Sequence, residues 1–352
     1  MEMTSFHRMQ LPREILIGKG VLSQVSSICK KLGFNSPLLI LSGSHMLDIV
    51  VKDVIDPLEQ EGFEIKLNVV GDSDVDNVKT TTDIIEVLKP SVVLGIGGGK
   101  VIDIAKLSSS QKNISFISVP TSLSHDGISS SRASIKEVGR PVSVEAQSPI
   151  AIIGDLEIIS KSPYQLTASG CGDIVAKYTA VKDWKLANKV NVEYYGDYAA
   201  NLALMSAKLV MRNAKVIQEK KEEGFRIVLE ALISCGVSMS IAGSSRPCSG
   251  SEHLFSHALD VIAPKPALHG EQCAIGSIMM AYLWKANWKK IKKKLEIIGV
   301  PTTSSELGID SEHIIEALVS ARNIRSNRYS ILDVKCLNLK SARELALATG
   351  VI

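Results

Sequence analysis

The chain holds seven histidines, and three of them fall close together: His253, His257 and His269. In SGSEHLFSHALD (249–260) the first two are four apart, which sets both on one face of a helix. In LHGEQ (268–272) the third stands at an expected helix start. A catalytic zinc ion takes three protein ligands from His and carboxylate and keeps a fourth position open. GCGDIVAK (170–177) offers the carboxylate: Asp173 follows two glycines and is expected to open a helix, unusual scenery for a merely solvated acid. An isolated histidine is more often structural than a ligand, and this H-x-x-x-H pair lacks the glutamate of H-E-x-x-H. Three together favour a metal, but spacing alone leaves open which of the three would bind it.

A second chemistry is suggested by GIGGGKVIDIAK (95–106). A phosphate needs backbone N–H donors that a Cβ would obstruct, and the positive end of a helix dipole beyond them. Gly97, Gly98 and Gly99 supply the open backbone and Val101 to Lys106 the helix; a tight turn without a ligand is the plain alternative. The run lacks the GK[ST] of a Walker A loop and does not follow the first strand as GxGxxG normally does. PTSLSHDGISSSRASI (120–135) is a further hydroxyl-rich run placed straight after a strand. At the carboxyl end of a parallel sheet such a loop binds ligands, and His125–Asp126 favour that over a polar surface loop.

These groups need elements to position them. Apolar runs at 37–43, 63–71, 91–99, 114–120 and 150–155 read as strands, separated by helical stretches to about Gln60 and over 77–89. That alternation predicts a parallel, doubly wound sheet. RASIKEVGRPVSVEA (132–146) reads as a hairpin turning at Val138–Arg140. After Pro163 strand signals nearly vanish, and helical spacing runs over 164–187, 193–217, 225–243, 249–262 and 270–296. The expected fold class is an α/β N-terminal Rossmann-like domain with a parallel sheet, followed by an all-α C-terminal domain. The expected division is 1–162 and 163–352. The charge run Lys289–Lys294, KKIKKK, reads as the solvated face of a helix.

The bulk composition narrows the function classes. At 352 residues the chain suits two domains. Hydrophobic residues at 45% and charged residues at 22% are globular values. A net charge of +3 gives no support for nucleic-acid binding. Six scattered cysteines without a CxxC pair read as reduced thiols in a cytoplasmic protein. The opening MEMTSFHRMQLPREILIG is charged throughout and reads as no signal peptide; no apolar run of about 18 residues predicts a membrane span.

GGGKVID, PTSLSHDG, GCGDIVAK, SGSEHLFSH and LHGEQ, in this order and spacing, resemble the zinc- and iron-dependent polyol dehydrogenases, a superfamily that includes glycerol dehydrogenase and dehydroquinate synthase. SHDGISSSRASI and SGSEHLFSHALD look specifically like the sn-glycerol-1-phosphate dehydrogenases of archaea. The likeness runs from LPREILIGKG (11–20) to about residue 290. It implies a dehydroquinate synthase-like fold with the site between the two domains. It implies Asp173, His253 and His269 as Zn2+ ligands, and Asp126, Asp173 and His257 as the residues that meet substrate and carry catalysis. Gly97, Gly98, Gly99, Lys100, Val101, Ile102 and Asp103, with Thr121, Ser122, Leu123, Ser124 and Ser130, would hold NAD(H) or NADP(H). Ser130–Ser131 departs mildly from the family, which has a small residue and often a proline before the arginine. The implied reaction is reduction of dihydroxyacetone phosphate to sn-glycerol 1-phosphate, which supplies the glycerophosphate backbone of archaeal ether lipids. Arg132 and Lys177 are candidates for the substrate phosphate, and Lys177 could equally form an i,i+4 pair with Asp173. A homo-oligomer is expected. Glycerol dehydrogenase, acting on the unphosphorylated polyol, is the nearest alternative. A non-catalytic nucleotide- or metal-binding protein is the alternative of another class, and dehydroquinate synthase fits less well around the glycine loop.

The strand at 37–43 ends in Leu41–Ser42–Gly43–Ser44, with no acid before Asp48. NAD-specific folds place an acid there to grip the ribose 2′-hydroxyl, and its charge repels a 2′-phosphate. Both cofactors are therefore expected to serve. Comparing kcat/KM for NADH and NADPH tests this, and a preference for NADH above about a hundredfold, ~2.7 kcal/mol, would defeat it.

Overall fold

A computed structural model describes residues 9–137 and 140–352. Val138 and Gly139 of the expected hairpin turn lie outside the described residues. Six strands form one fully parallel sheet: β1 (Glu14–Gly18), β2 (Leu38–Ser42), β3 (Ile65–Val69), β4 (Val92–Gly97), β5 (Ser115–Pro120) and β8 (Ala151–Asp155), in the order β1-β8-β5-β4-β2-β3. β6 (Arg132–Glu137) and β7 (Arg140–Glu145) form the separate antiparallel hairpin. The central strands are apolar on both faces because elements cover both. Alternation therefore sorts their residues between two cores: Leu38, Ile40, Leu94 and Ile96 face one, and Leu39, Leu41 and Val93 the other.

The expected strands all form. β1 lies outside those expectations: EILIG is a five-residue, half-exposed strand at the sheet edge beside β8, too short to show a period. It makes the strand before the glycine loop the fourth and not the third. The chain leaves β2 toward β3 and leaves β4 toward β5, so the order reverses between β2 and β4. Ligands of open α/β sheets bind outside the carboxyl ends at such a reversal, here between Ser42 and Gly97.

The helices of ten residues or more are α1 (Val75–Leu88) and α2 (Gly99–Gln111) among the strands, then α3 (Tyr164–Asn191), α4 (Asp197–Arg212), α5 (Glu222–Ala242), α6 (Ser251–Ile262), α7 (His269–Leu283), α8 (Trp288–Ile298), α9 (Ser311–Ser320) and α10 (Leu339–Ala348). The stretch 270–296 is two helices and not one. The chain turns at Lys285, with φ 51°, and restarts where the Asn287 side chain accepts from the Lys290 amide at 3.1 Å. On α8 the buried Ile291, Leu295 and Ile298 sit at i, i+4 and i+7, which leaves the lysines toward solvent. Among the described residues α5 alone is long and apolar enough to cross a membrane, with mean hydropathy 1.6, but 72% of its apolar window is buried inside the protein. It is a core helix.

GCGDIVAK does not open a helix. It lies inside α3, and its glycines serve packing. A Cβ on Gly170 would stand 2.0 Å from the Leu123 carbonyl oxygen, and one on Gly172 would stand 2.2 Å from that of Gly270. The loop after β5 and the first turn of α7 thus press onto α3 on either side of Asp173. Helix propensity alone favours Gly172→Ala by about 1 kcal/mol. Because the clash is with backbone, the expected outcome is the opposite, a net loss of about 1–3 kcal/mol. Thermal unfolding checks the sign, and a raised melting temperature would show that the helices do not approach this closely.

Candidate active site

Three elements bring the site together. α3 carries Asp173 and Lys177, α6 carries Glu252, His253, Ser256 and His257, and α7 opens with His269. One ligand atom from each of Asp173, His253, His269 and Cys273 lies within 4.8 Å of every other. His253 Nε2 stands 3.3 Å from Asp173 Oδ1. The far side of each imidazole is held. Glu252 Oε1 lies 2.9 Å from His253 Nδ1, while that carboxylate also accepts from the Gly250 amide and the Thr179 hydroxyl, both at 2.6 Å. Ser256 Oγ lies 3.1 Å from His269 Nδ1 and accepts from Gln272 Nε2 at 3.0 Å. Partners at Nδ1 leave Nε2 as the coordinating lone pair, the arrangement metal-binding histidines use. The donor set fits a divalent ion: one carboxylate, two imidazoles and an open fourth position. Cys273 Sγ borders it at 3.6 Å from His269 Nε2, but burial pushes that thiol up, so it lines the site as a neutral group.

Charge supports the same fit. Burial and the nearby His253 push His269 well below its usual range, so it is a neutral imidazole. Burial opposes charge on His253 too, but Cys273, Asp173 and Glu252 outweigh it and hold its proton affinity well up. A cluster that draws a proton to this point also attracts a cation.

Lys177 ties Asp173 to Asp126. Its fully buried ammonium lies 2.6 Å from Asp173 Oδ1 and 2.7 Å from Asp126 Oδ2. Burial alone would depress it, but Asp126 and Asp173 prevail and keep it charged. Asp173 Oδ2 accepts from the Asp126 amide at 2.9 Å. Of the two readings for Lys177, the structure shows the i,i+4 pair with Asp173 and not a phosphate donor: its charge is spent on two carboxylates. Asp173 is enclosed, at 1% side-chain exposure, while Asp126 and His257 reach the cleft at 17% and 22%. His257 Nδ1 faces Asp260 Oδ2 at 3.5 Å, and its ring stacks 5.7 Å from that of His269.

The glycine run sits where β4 meets α2. No side chain caps α2, and the first-turn amides of Gly99, Lys100 and Val101 have no helical acceptor. A Cβ on Gly99 would stand 2.2 Å from His125 Nε2, so the ring of the second loop packs directly on the first. Ser122 Oγ lies against Gly98, and the Thr121 amide donates to the Gly97 carbonyl at 3.0 Å. This open amide cradle fits a pyrophosphate. The remaining residues expected there face elsewhere. Ile102 is fully buried, and its amide donates to Gly98. Asp103 binds Lys106 and the Ser134 amide, both at 3.0 Å. Lys100 pairs with Asp72. Leu123 is in the core, Ser124 gives its carbonyl to Ser169, and Ser130 is buried beneath Arg132.

Spacing had not singled out Glu252 or Cys273. Both were available as signals: Glu252 adjoins His253, and Cys273 stands four after His269.

The Lys177 ammonium makes a direct prediction. Replacing it by methionine in Lys177→Met leaves the enclosed Asp173 carboxylate without its ammonium partner and beside Asp126. The expected loss is about 3–5 kcal/mol in chelator, and less at saturating zinc, which offsets part of the missing charge. Denaturant unfolding under both conditions measures it, and wild-type stability in chelator would show that the ammonium does not hold these acids.

Comparison with known proteins matches residues 16–163 to the family described as iron-containing alcohol dehydrogenase. The chain is 50% identical over 345 residues to the glycerol-1-phosphate dehydrogenase (NAD(P)+) of Methanothermobacter thermautotrophicus, covering 98% of this chain and 99% of that one. It is 49% identical over 346 residues to that of Pyrococcus furiosus, covering 98% and 100%. Among solved structures, glycerol dehydrogenase from Schizosaccharomyces pombe superposes with a TM-score of 0.81 at 19% identity, covering 98% of this chain and 91% of that one. Sulfoacetaldehyde reductase from Bifidobacterium kashiwanohense, in complex with NAD+, superposes at 0.75 and 18%, covering 97% and 99%. The structural likenesses place the fold among these dehydrogenases, and the two close relatives place the sequence: the chain belongs to the glycerol-1-phosphate dehydrogenase family.

Proposed function

We propose that the protein catalyses the reversible reduction of dihydroxyacetone phosphate to sn-glycerol 1-phosphate with NAD(H) or NADP(H), using zinc held by Asp173, His253 and His269. Residues 1–162 would bind the dinucleotide, and 163–352 the metal and substrate. The carrying observation is the convergence of two imidazoles, each braced at Nδ1, on one buried carboxylate beside the cleft. Names of relatives at about half identity supply the substrate and cofactor class. The six cysteines form no disulfide, and five are buried, which supports a reducing, cytoplasmic setting. Exposed Val190, Val192 and Tyr198 support assembly into an oligomer.

When bound, the metal supplies Lewis acidity toward the substrate oxygen and the nicotinamide supplies or accepts the hydride. The chain's own residues supply the rest. The α2 amides and Ser122 fix the dinucleotide's phosphates at the carboxyl end of β4. Asp126, oriented by its ion pair with Lys177, presents its other carboxylate oxygen to a substrate hydroxyl. Burial pushes His257 below its ordinary range, and Asp260 holds Nδ1, which leaves a neutral ring to exchange a proton at Nε2. The packed walls of α3, α6 and α7 keep water from the reacting carbon.

Metal analysis of two variants tests the ligand and relay roles separately. His269→Ala is expected to lose both zinc and activity. His257→Ala is expected to keep zinc and lose activity by about 100-fold or more, the scale of a missing acid–base group. Full zinc retention in His269→Ala would break the ligand assignment. Chiral analysis of the product, and a requirement for the phosphate on the ketone, separate this reading from glycerol dehydrogenase.

A further inference from the structure

Beyond His257 opens a cavity of about 630 Å³, lined by Arg132, Ser143, Asp260, Arg325 and Arg328 among others. Its cations are not equivalent. Arg246, also on this wall, forms a two-point ion pair with Glu193 and donates to the Tyr329 carbonyl at 3.1 Å. Arg328 donates to the Ser249 carbonyl at 2.6 Å and to Ser245 Oγ at 2.9 Å. Arg132 turns Nε and one terminal nitrogen to Ser143, at 3.3 and 2.7 Å, and keeps its other terminal nitrogen free. The Arg325 carbonyl accepts from the Arg328 amide at 3.0 Å, but its guanidinium has neither a hydrogen bond nor an ion pair among the described residues.

A half-buried guanidinium with five unused donors is costly unless something occupies them. The acids of this wall are unavailable. Glu193 is taken by Arg246, and Asp260 accepts from Gln272 Nε2 at 2.9 Å and faces His257. The arginines also repel one another. Burial and Arg132 push Arg325 down, and burial with Arg325 and Arg246 pushes Arg328 to about 9. The cavity thus carries positive charge that no protein group neutralises. It is lined by His257, whose ring stacks on that of His269.

We propose that Arg325, together with the free edge of Arg132, forms the subsite for the substrate's phosphate and so sets the enzyme's requirement for a phosphomonoester. A dianionic phosphate accepts from two guanidinium forks at once, which an ammonium cannot match. With its phosphate there, a three-carbon ketone extends past His257 toward Asp173, His253 and His269. This inference rests on the function proposed above and names the residues that give it specificity.

The test uses zinc-loaded wild type, Arg325→Gln, Arg325→Lys and Arg132→Gln. Steady-state kinetics with dihydroxyacetone phosphate and with dihydroxyacetone give the ratio of their kcat/KM values, and calorimetric titration gives the Kd of inorganic phosphate. In Arg325→Gln the ratio is expected to fall about 100-fold, mostly through KM for the phosphorylated ketone, with phosphate binding weakened in parallel. Arg325→Lys recovers part of both, and serves in its place if the glutamine variant does not fold. Arg132→Gln gives a smaller fall in the same direction. An unchanged ratio in the Arg325 variants, equal losses on both ketones, or phosphate binding as in wild type would overturn the subsite. A wild type that uses both ketones equally would overturn the functional reading instead, and the phosphate titrations would still decide whether Arg325 binds the anion.

Discussion

The site depends on one buried ammonium. Lys177 sits between Asp126, on the loop after β5, and Asp173, inside α3. Burial alone would raise the proton affinity of Asp173, but the Lys177 ammonium outweighs it and, with His253, holds that carboxyl well below its usual range. The same ammonium pairs with Asp126, and so joins the sheet-bearing half of the chain to the helical half. Everything near it is arranged for close approach. Gly170 and Gly172 let the Leu123 and Gly270 carbonyls reach the surface of α3, and the Asp126 amide completes the bond to Asp173. The position of the metal acid is thereby set by both halves of the chain.

A second set of buried acids holds α6. Asp183 accepts from the amide and hydroxyl of Ser251 at 2.7 and 2.5 Å, from Trp284 Nε1 at 3.1 Å and from the Ile331 amide at 3.0 Å. Burial and the neighbouring Glu252 push it to about 7. Its four donors pin the first residue of α6 to α3, to the end of α7 and to the segment after α9. His253 follows two residues later, braced by Glu252. The imidazole is thus oriented from the start of its helix, where the backbone has least freedom to shift. This is the layer that orients metal ligands elsewhere, built here from Glu252 within the SGSEHLFSH motif and from Asp183 outside every motif.

How much of this was legible in the sequence follows from the range of each cause. The five other sheet strands, the hairpin and most of the helical half were legible, because apolar runs and the 3.6-residue period are local patterns. β1 was not, because five half-exposed residues carry no period. The break at Lys285 was not, because one residue with positive φ interrupts an otherwise continuous pattern. The glycines before Asp173 suggested a helix start, because glycine in a sequence signals backbone freedom; their actual reason, close approach by distant carbonyls, belongs to tertiary structure. Asp173, His253, His257 and His269 stood out as residues, and the structure gathers them. The pairing of Lys177 with Asp173, four residues before it, was legible as helix spacing; its second partner Asp126 and the isolation of the Arg325 guanidinium were not, since both depend on parts of the chain far away in sequence.

The spacing of α6 connects the two chemistries of the proposed reaction. His253 points its Nε2 at Asp173, and His257, one turn on, lines the arginine cavity. One turn of helix rises about 5.4 Å, which is on the order of the span from a ketone oxygen to the phosphorus of a three-carbon phosphate ester. A rigid helix anchored at its first residue by Asp183 therefore works as a gauge. One end holds the group that meets the reacting oxygen, and the other faces the charge that holds the phosphate. In the proposed reaction a ketone held at both ends would have its middle carbon fixed between them, and a polyol without the phosphate would lose the second anchor. Selectivity for the phosphorylated ketone then needs no contact at the reacting carbon itself, because the helix sets the distance and the arginines supply the binding energy at its far end.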